Sequence, residues 1–364
     1  MATFPTSADD LTPEFLSTVL SADVTNFDVQ LVGAQGATTT AARIELEYAG
    51  NASEAPPAIF AKWASPIPAV QQMATANGMY RREVRFYKDL AESSGLAIPR
   101  AYFGDWDRES GLFLLLLEDL AAGHVGDLFA SRVDEVSSVV EAIPAFHARW
   151  WNHPDLDALR WLFPVDHPAV VKGLGATFAA SLEGASTKFP EAFDGALGQA
   201  SRRIAADYGS MATRFGARPR TLIHGDLHLQ QVFFPRASRG DDSGRFAIFD
   251  WQTIARGFGG QDLARIIAAC LDPGDRRAHE RDLVASYHAG LVTHAIGDHS
   301  LDQCWDDYRL GVLWSVVTNV IAGASIDSEA MDALGRAAGT TFAEAFFGRL
   351  DAAIEDLEVA ALLD

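Results

Sequence analysis

Cysteine is scarce in this chain. Of 364 residues only Cys270 and Cys304 carry thiols, both in helical-looking stretches without metal-ligand spacing. This argues against a disulfide framework and a structural zinc site, and leaves two thiols expected to be buried. Basic residues are also few: 29 Lys plus Arg stand against 49 Asp plus Glu, giving a net charge of −20 and a sequence pI near 4.8. Nucleic acid and anionic membranes are recognised by a basic footprint, so neither is an expected partner. No apolar run approaches the length of a membrane span, and Met1-Ala2-Thr3-Phe4-Pro5 lacks a basic stretch followed by an apolar one. A cytoplasmic location is the expectation. No fixed-period repeat is visible, and a hydrophobic content of 48% with 10% aromatics excludes disorder.

A chain of 39.3 kDa is long for one core and suits two packed units. Thr12-Pro13-Glu14 reads as an N-cap with Pro at the first helical position, opening a short leading helix. Alternating segments 27–32 and 42–48 flank a small-residue turn that contains Gly33 and Gly36. Such a turn can lay backbone N–H groups over phosphates, although Gly-x-x-Gly is equally common in plain hairpins. The next strand, Ala58-Ile59-Phe60-Ala61-Lys62-Trp63, has a lone lysine in an apolar run.

Lysine stems ordinarily snorkel to solvent. Here, however, Met79, Glu83, Phe86, Tyr87 and Leu90 recur at helical spacing and place a carboxylate inside an apolar stripe. An unpaired buried charge is costly, so Lys62 and Glu83 are expected to pair. Segments 98–103 and 112–117 form a second hairpin and complete a five-stranded antiparallel sheet, ending at Glu118-Asp119-Leu120. From Val133 onward the pattern is helical, with Pro144 a candidate kink and His147 a core histidine on an apolar face. The expected fold is α+β, with a small unit over 1–120 (sheet plus helix) and a larger, mostly α unit over 121–364.

The chemistry concentrates in Leu222-Ile223-His224-Gly225-Asp226-Leu227-His228-Leu229-Gln230-Gln231 and Phe246-Ala247-Ile248-Phe249-Asp250-Trp251-Gln252. Each carboxylate closes a short apolar run, and 232–234 with 246–249 read as a hairpin between them. Aspartate is common in turns, but two such carboxylates with an amide between them suit phosphoryl transfer. That reaction needs an orienting group near the attacking oxygen and hard oxygen ligands for magnesium. Asp226 fits the first role, with His224 beside it, while Gln231 and Asp250 fit the second.

At these residues the sequence resembles the aminoglycoside phosphotransferase and choline kinase superfamily, whose catalytic loop reads His-Gly-Asp-x-x-x-x-Asn. Gln231 stands where that family has Asn and carries the same amide oxygen on a longer stem. Leu117-Glu118-Asp119-Leu120, Phe146-His147-Ala148 and Asp250-Trp251-Gln252 with Gly260-Gln261-Asp262-Leu263-Ala264 bring it nearest the ecdysteroid kinase-like branch and its bacterial relatives. The resemblance implies a two-lobed protein-kinase-like fold using ATP and Mg²⁺. It also implies that Lys62 and Glu83 position phosphates, that the main chain at Glu118 and Leu120 meets the adenine edge, and that Asp262 supports the catalytic loop. No Asp-Phe-Gly to Ala-Pro-Glu activation segment is present, which argues for a small acceptor: a metabolite, sugar, antibiotic or steroid-like alcohol. The alternative is a nucleotide-binding pseudokinase serving as an interaction module, motivated by Gln231. A metal-dependent hydrolase around His224, Asp226 and His228 ranks last, because it leaves Lys62 and Glu83 without a role.

Overall fold

Thr12 caps as its context predicts, its side chain accepting the Phe15 N–H at 3.2 Å at the start of α1 (Pro13–Leu20). The computed structural model of the chain describes residues 3–32, 38–50, 54–120, 123–235 and 246–364. They form two compact units: Met1–Ser93, Ala97–His124 and Phe233–Thr253 in one, Ser94–Leu96, Val125–Val232 and Ile254–Asp364 in the other.

The first unit holds the expected five-stranded sheet: β1 (Val24–Val32), β2 (Thr39–Tyr48), β3 (Ala58–Ala64), β4 (Ala101–Trp106) and β5 (Phe113–Glu118). Its strand order is β1-β2-β3-β5-β4, antiparallel throughout. Ile59, Ala61 and Trp63 of β3 join Leu16, Ile44, Leu114 and Leu116 in the core on the α1 side. With a side-chain period of two, Lys62 points to the opposite face. There α2 (Pro68–Ala76) and α3 (Met79–Arg85) follow, and α3 continues into a π-turn, Phe86–Leu90. β4 starts three residues later than the sequence pattern suggests. Pro99 has no N–H for a ladder, and Arg100 instead gives its N–H to the Glu118 carboxylate at 3.0 Å.

β6 (Gly123–Val125), β8 (Val232–Pro235) and β9 (Ala247–Ile248) form a three-stranded sheet in the order β6-β8-β9. The Asp250 segment thereby belongs with the first unit, unlike a single division at 120/121. Two contacts bind it there: Ile248 donates its N–H to the Ala97 carbonyl at 2.9 Å, and Trp251 stacks on Phe86 with ring centroids 3.8 Å apart.

The second unit is mostly helical: α4 (Val133–Arg149), α5 (Pro168–Lys188), α6 (Ala196–Ala206), α7 (Tyr208–Gly216), α8 (Gly260–Ile267), α9 (Pro273–Thr293), α10 (Leu301–Ser325), α11 (Ser328–Ala337) and α12 (Arg349–Asp356). Between them β7 (Thr221–Ile223) pairs antiparallel with β10 (Ala255–Gly257), and the His-Gly-Asp loop leaves the end of β7. Pro144, the candidate kink, lies inside α4 without ending it. α8 and α10 cross closely: a Cβ on Gly311 would stand 1.9 Å from the Gly260 carbonyl oxygen. Among the described residues no single helix is long and apolar enough to cross a membrane; α10 and α11 pass only as a pair bent by 109°. Val312, Leu313, Val316, Val317 and Val320 of α10 are fully buried, as in a core helix.

Candidate active site

The Lys62 and Glu83 pair forms as the apolar patterns require. Lys62 Nζ donates to Glu83 Oε1 at 2.6 Å and to Asp250 Oδ1 at 3.0 Å, so one ammonium serves two carboxylates. Both Lys62 and Glu83 are buried, and Glu83 Oε2 has no hydrogen-bond partner among the described residues. Burial alone would lower the lysine, but Asp250 and Glu83 more than offset it and hold it above the ordinary lysine range. Burial pushes the Glu83 carboxyl up to about 7; Lys62 opposes the rise and the nearby Asp250 charge adds to it.

Asp250 reaches this pair through a left-handed backbone at φ 65, a conformation that aspartate tolerates better than most residues. Trp251, buried behind it, anchors the turn by stacking on Phe86 and donating its indole N–H to the Ile248 carbonyl at 3.3 Å. Gln252 accepts the Thr38 hydroxyl at 3.0 Å, and the Thr38 carbonyl in turn accepts the Tyr80 hydroxyl at 2.6 Å. Thr38 is thus fixed immediately before β2. Gly33 and Gly36 themselves lie outside the described residues.

In the second unit the His-Gly-Asp loop is held by a carboxylate beneath it. Asp262 Oδ2 accepts the His224 N–H at 2.7 Å, and Oδ1 accepts the Gly225 N–H at 2.9 Å. Asp262 Oδ2 also faces His147 Nε2 at 3.3 Å, and His147 Nδ1 meets the Tyr287 hydroxyl at 2.8 Å. His147 is therefore a satisfied core histidine, and Asp262 holds the loop from within the first turn of α8. Gly225 takes φ 86, which a side chain would make costly, and its carbonyl accepts the Trp314 indole N–H at 2.9 Å.

Asp226 emerges from this clamp with its side chain 28% exposed. Arg265 Nε donates to its Oδ1 at 3.0 Å, and His228 Nε2 stands 3.7 Å from its Oδ2. Burial alone would raise this carboxyl, but the Arg265 guanidinium and His228 outweigh it and hold it well below the usual carboxylate range. The His224 ring is buried, and its Nδ1 faces the Asp226 N–H at 3.4 Å, which fits a residue that shapes the loop more than one that touches a substrate. The Gln231 side-chain amide reaches His228, with 3.4 Å between Nε2 atoms.

Arg265 and Trp314 are the groups that sequence reasoning missed. The signal for Arg265 was available: a basic residue inside the apolar run 263–271 needs a buried anion, by the same logic that paired Lys62 with Glu83. Trp314 gave no comparable signal, because an indole in an apolar helix reads as packing. At the expected hinge, the Glu118 N–H is already given to the Arg100 carbonyl at 2.8 Å, so it is not a spare donor for an adenine edge. Leu120 is part-buried just beyond the end of β5.

Among the described residues no group of three or more His, Cys, Asp or Glu is arranged to hold a metal alone. Magnesium in nucleotide sites takes one or two protein oxygens, with phosphates and water supplying the rest. The Asp250 carboxylate, still 18% exposed beside the Lys62 ammonium, fits that demand.

The antiparallel five-stranded sheet, the lysine–carboxylate pair behind it and the clamped His-Gly-Asp loop define the class of kinase-like phosphotransferase folds. A solved aminoglycoside 2'-phosphotransferase-IIIa mutant in complex with GDP shares this fold at 14% identity, covering 96% of this chain and 98% of that one, with a TM-score of 0.50. The choline kinase LicA from Streptococcus pneumoniae matches at 15% identity over 95% of this chain and 96% of its own, with a TM-score of 0.44. A Caenorhabditis elegans relative described as "Uncharacterized kinase-like protein D1044.1" is 23% identical over 263 residues, 67% of this chain and 65% of the relative's length. The model of the family DUF1679, described as "Uncharacterized oxidoreductase dhs-27", matches residues 173–361, and the chain belongs to that family. The match fits the ecdysteroid kinase-like branch. An antiparallel sheet differs from the parallel, doubly wound sheet on which dinucleotide-dependent oxidoreductases are commonly built.

Proposed function

We propose that the chain is an ATP- and Mg²⁺-dependent phosphotransferase acting on a hydroxyl group of a small molecule. The observation that carries this reading is the buried Lys62 ammonium shared by Glu83 and Asp250. In an ordinary core such a group would cost more than it returns, whereas a phosphate-binding site needs a fixed positive charge. Lys62 would meet nucleotide phosphates, with Glu83 holding its direction. Asp250 and Gln231 would supply oxygens to magnesium, and the Glu118 carbonyl and Leu120 main chain would face the adenine. Magnesium held there would supply positive charge against the negative charge that develops during transfer.

Asp226 would receive the acceptor hydroxyl. Its depressed carboxyl is a weak proton acceptor, so its main contribution is to orient that hydroxyl by a charge-assisted hydrogen bond. His224 would position this loop. The acceptor is a metabolite, sugar, antibiotic or steroid-like alcohol. The second reading, a nucleotide-binding pseudokinase, is favoured by one feature: the Gln231 amide is turned onto His228. Calorimetric titration with ATP and with GTP, each with and without Mg²⁺, tests the nucleotide site. Loss of one charge-assisted contact is worth about 1.5–3 kcal/mol, so Lys62→Met should weaken nucleotide binding by roughly 10- to 150-fold. A wild-type protein that binds neither nucleotide would contradict both readings.

A further inference from the structure

We infer that Arg265 is a positioning residue that sets the direction of the Asp226 carboxylate, so that α8 fixes the catalytic loop through backbone and side chain together. This rests on the phosphotransferase reading of Asp226. Asp262 and Arg265 lie one turn apart on α8 and so share a helix face. The first takes the N–H groups of His224 and Gly225, and the second takes Oδ1 of Asp226. Every residue of α8 is buried, and Arg265 itself is 4% exposed, so this support has little freedom to drift. A guanidinium is a planar fork and loses less freedom per hydrogen bond than a lysine ammonium would.

With Oδ1 held by Arg265, Oδ2 is the oxygen left to meet an acceptor hydroxyl, with His228 Nε2 3.7 Å from it. Arg265 also lines a cavity of about 20 Å³ with His228, Gln230, Cys270 and Arg349, room for about one water. Removing its side chain would extend that space to where the guanidinium now meets Asp226 and leave room for a small cation.

The test measures ATP hydrolysis with Mg²⁺, water serving as the acceptor, for wild type, Arg265→Ala, Arg265→Lys and Asp226→Asn. Nucleotide affinity and melting temperature are measured on the same samples. A carboxylate displaced by about 1 Å loses on the order of 100-fold in rate, so Arg265→Ala should lower kcat by about that factor while ATP affinity stays within about twofold. Arg265→Lys should recover part of the loss, and low concentrations of free guanidinium should recover part of it in Arg265→Ala. An unchanged kcat in Arg265→Ala, alongside an inactive Asp226→Asn, overturns this inference and leaves the phosphotransferase reading standing. Parallel losses of kcat, ATP affinity and melting temperature without guanidinium recovery overturn it as well, reducing Arg265 to a residue of the fold. Full turnover in Asp226→Asn removes the phosphotransferase reading of Asp226 and this inference with it.

Discussion

Replacing Asp262 with Ala removes the acceptor for two buried backbone N–H groups, those of His224 at 2.7 Å and Gly225 at 2.9 Å. Asp262 and His224 are each 1% exposed, so the bonds lie in a buried setting where bulk water is a poor substitute. A hydrogen bond to a charged acceptor contributes about 1.5–3 kcal/mol, so losing two should cost roughly 3–6 kcal/mol. Whole domains are stable by about 5–15 kcal/mol, which makes the loss severe for the second unit. Asp262→Asn retains one acceptor oxygen and turns an NH₂ toward the other N–H, so it should cost about half as much. Hydrogen exchange over residues 221–231 reads the local effect, and urea unfolding reads the global one. Exchange at His224 and Gly225 should accelerate in both variants, more in Ala than in Asn. Unchanged exchange there, with a stability change of less than about 0.5 kcal/mol, would refute the claim that Asp262 holds the loop.

Three further outcomes are expected. The Glu83 carboxyl, pushed up to about 7 from its ordinary 4.5, binds its proton more tightly folded than unfolded. Its stabilising contribution is therefore complete below about 4.5 and lost as pH rises through about 7, so Glu83→Gln should flatten the pH dependence of the melting temperature across that window; a slope identical to wild type contradicts this. Gly311→Ala sets a Cβ against the Gly260 carbonyl, and overpacking of this kind costs about 1–3 kcal/mol, so an unchanged melting temperature would remove the close α8–α10 crossing from the account. Gln231→Ala should lower activity most at limiting Mg²⁺ while Gln231→Asn keeps much of it. Normal activity of the Ala variant at limiting Mg²⁺ would exclude the amide as a ligand.

Much of this was legible in the chain because it rests on local periodicity. The alternation in 27–32 and 42–48, the apolar run 58–63 and the hairpin of 98–103 with 112–117 gave the sheet, and one charge in each of two apolar patterns gave the pair of Lys62 with Glu83. The second partner of Lys62 was not legible. Asp250 reaches it only through a left-handed turn braced by Trp251 on Phe86, and neither feature leaves a periodic trace. The same holds for the π-turn after α3, where one extra residue per turn changes which side chains face inward; for Arg265 the apolar run shows that a base is buried, but not that Asp226 is its partner. Pro144 falls inside the helix that the pattern from Val133 onward suggests. α4 tolerates it where Gly290 of α9 gives it room, a Cβ there standing 2.6 Å from the Pro144 ring.

The most direct test of the central claim is the mass of the product. Wild type and Asp226→Asn, each with ATP and Mg²⁺, would be incubated with a panel of hydroxylated sugars, amino sugars, sterols and small metabolites. Phosphoryl transfer predicts at least one acceptor gaining the mass of a phosphoryl group, about 80 Da, in step with ADP release, with the product nearly absent for Asp226→Asn. ATP binding with no phosphorylated product across the panel, and no difference between the two proteins, would contradict a phosphotransferase and favour the pseudokinase.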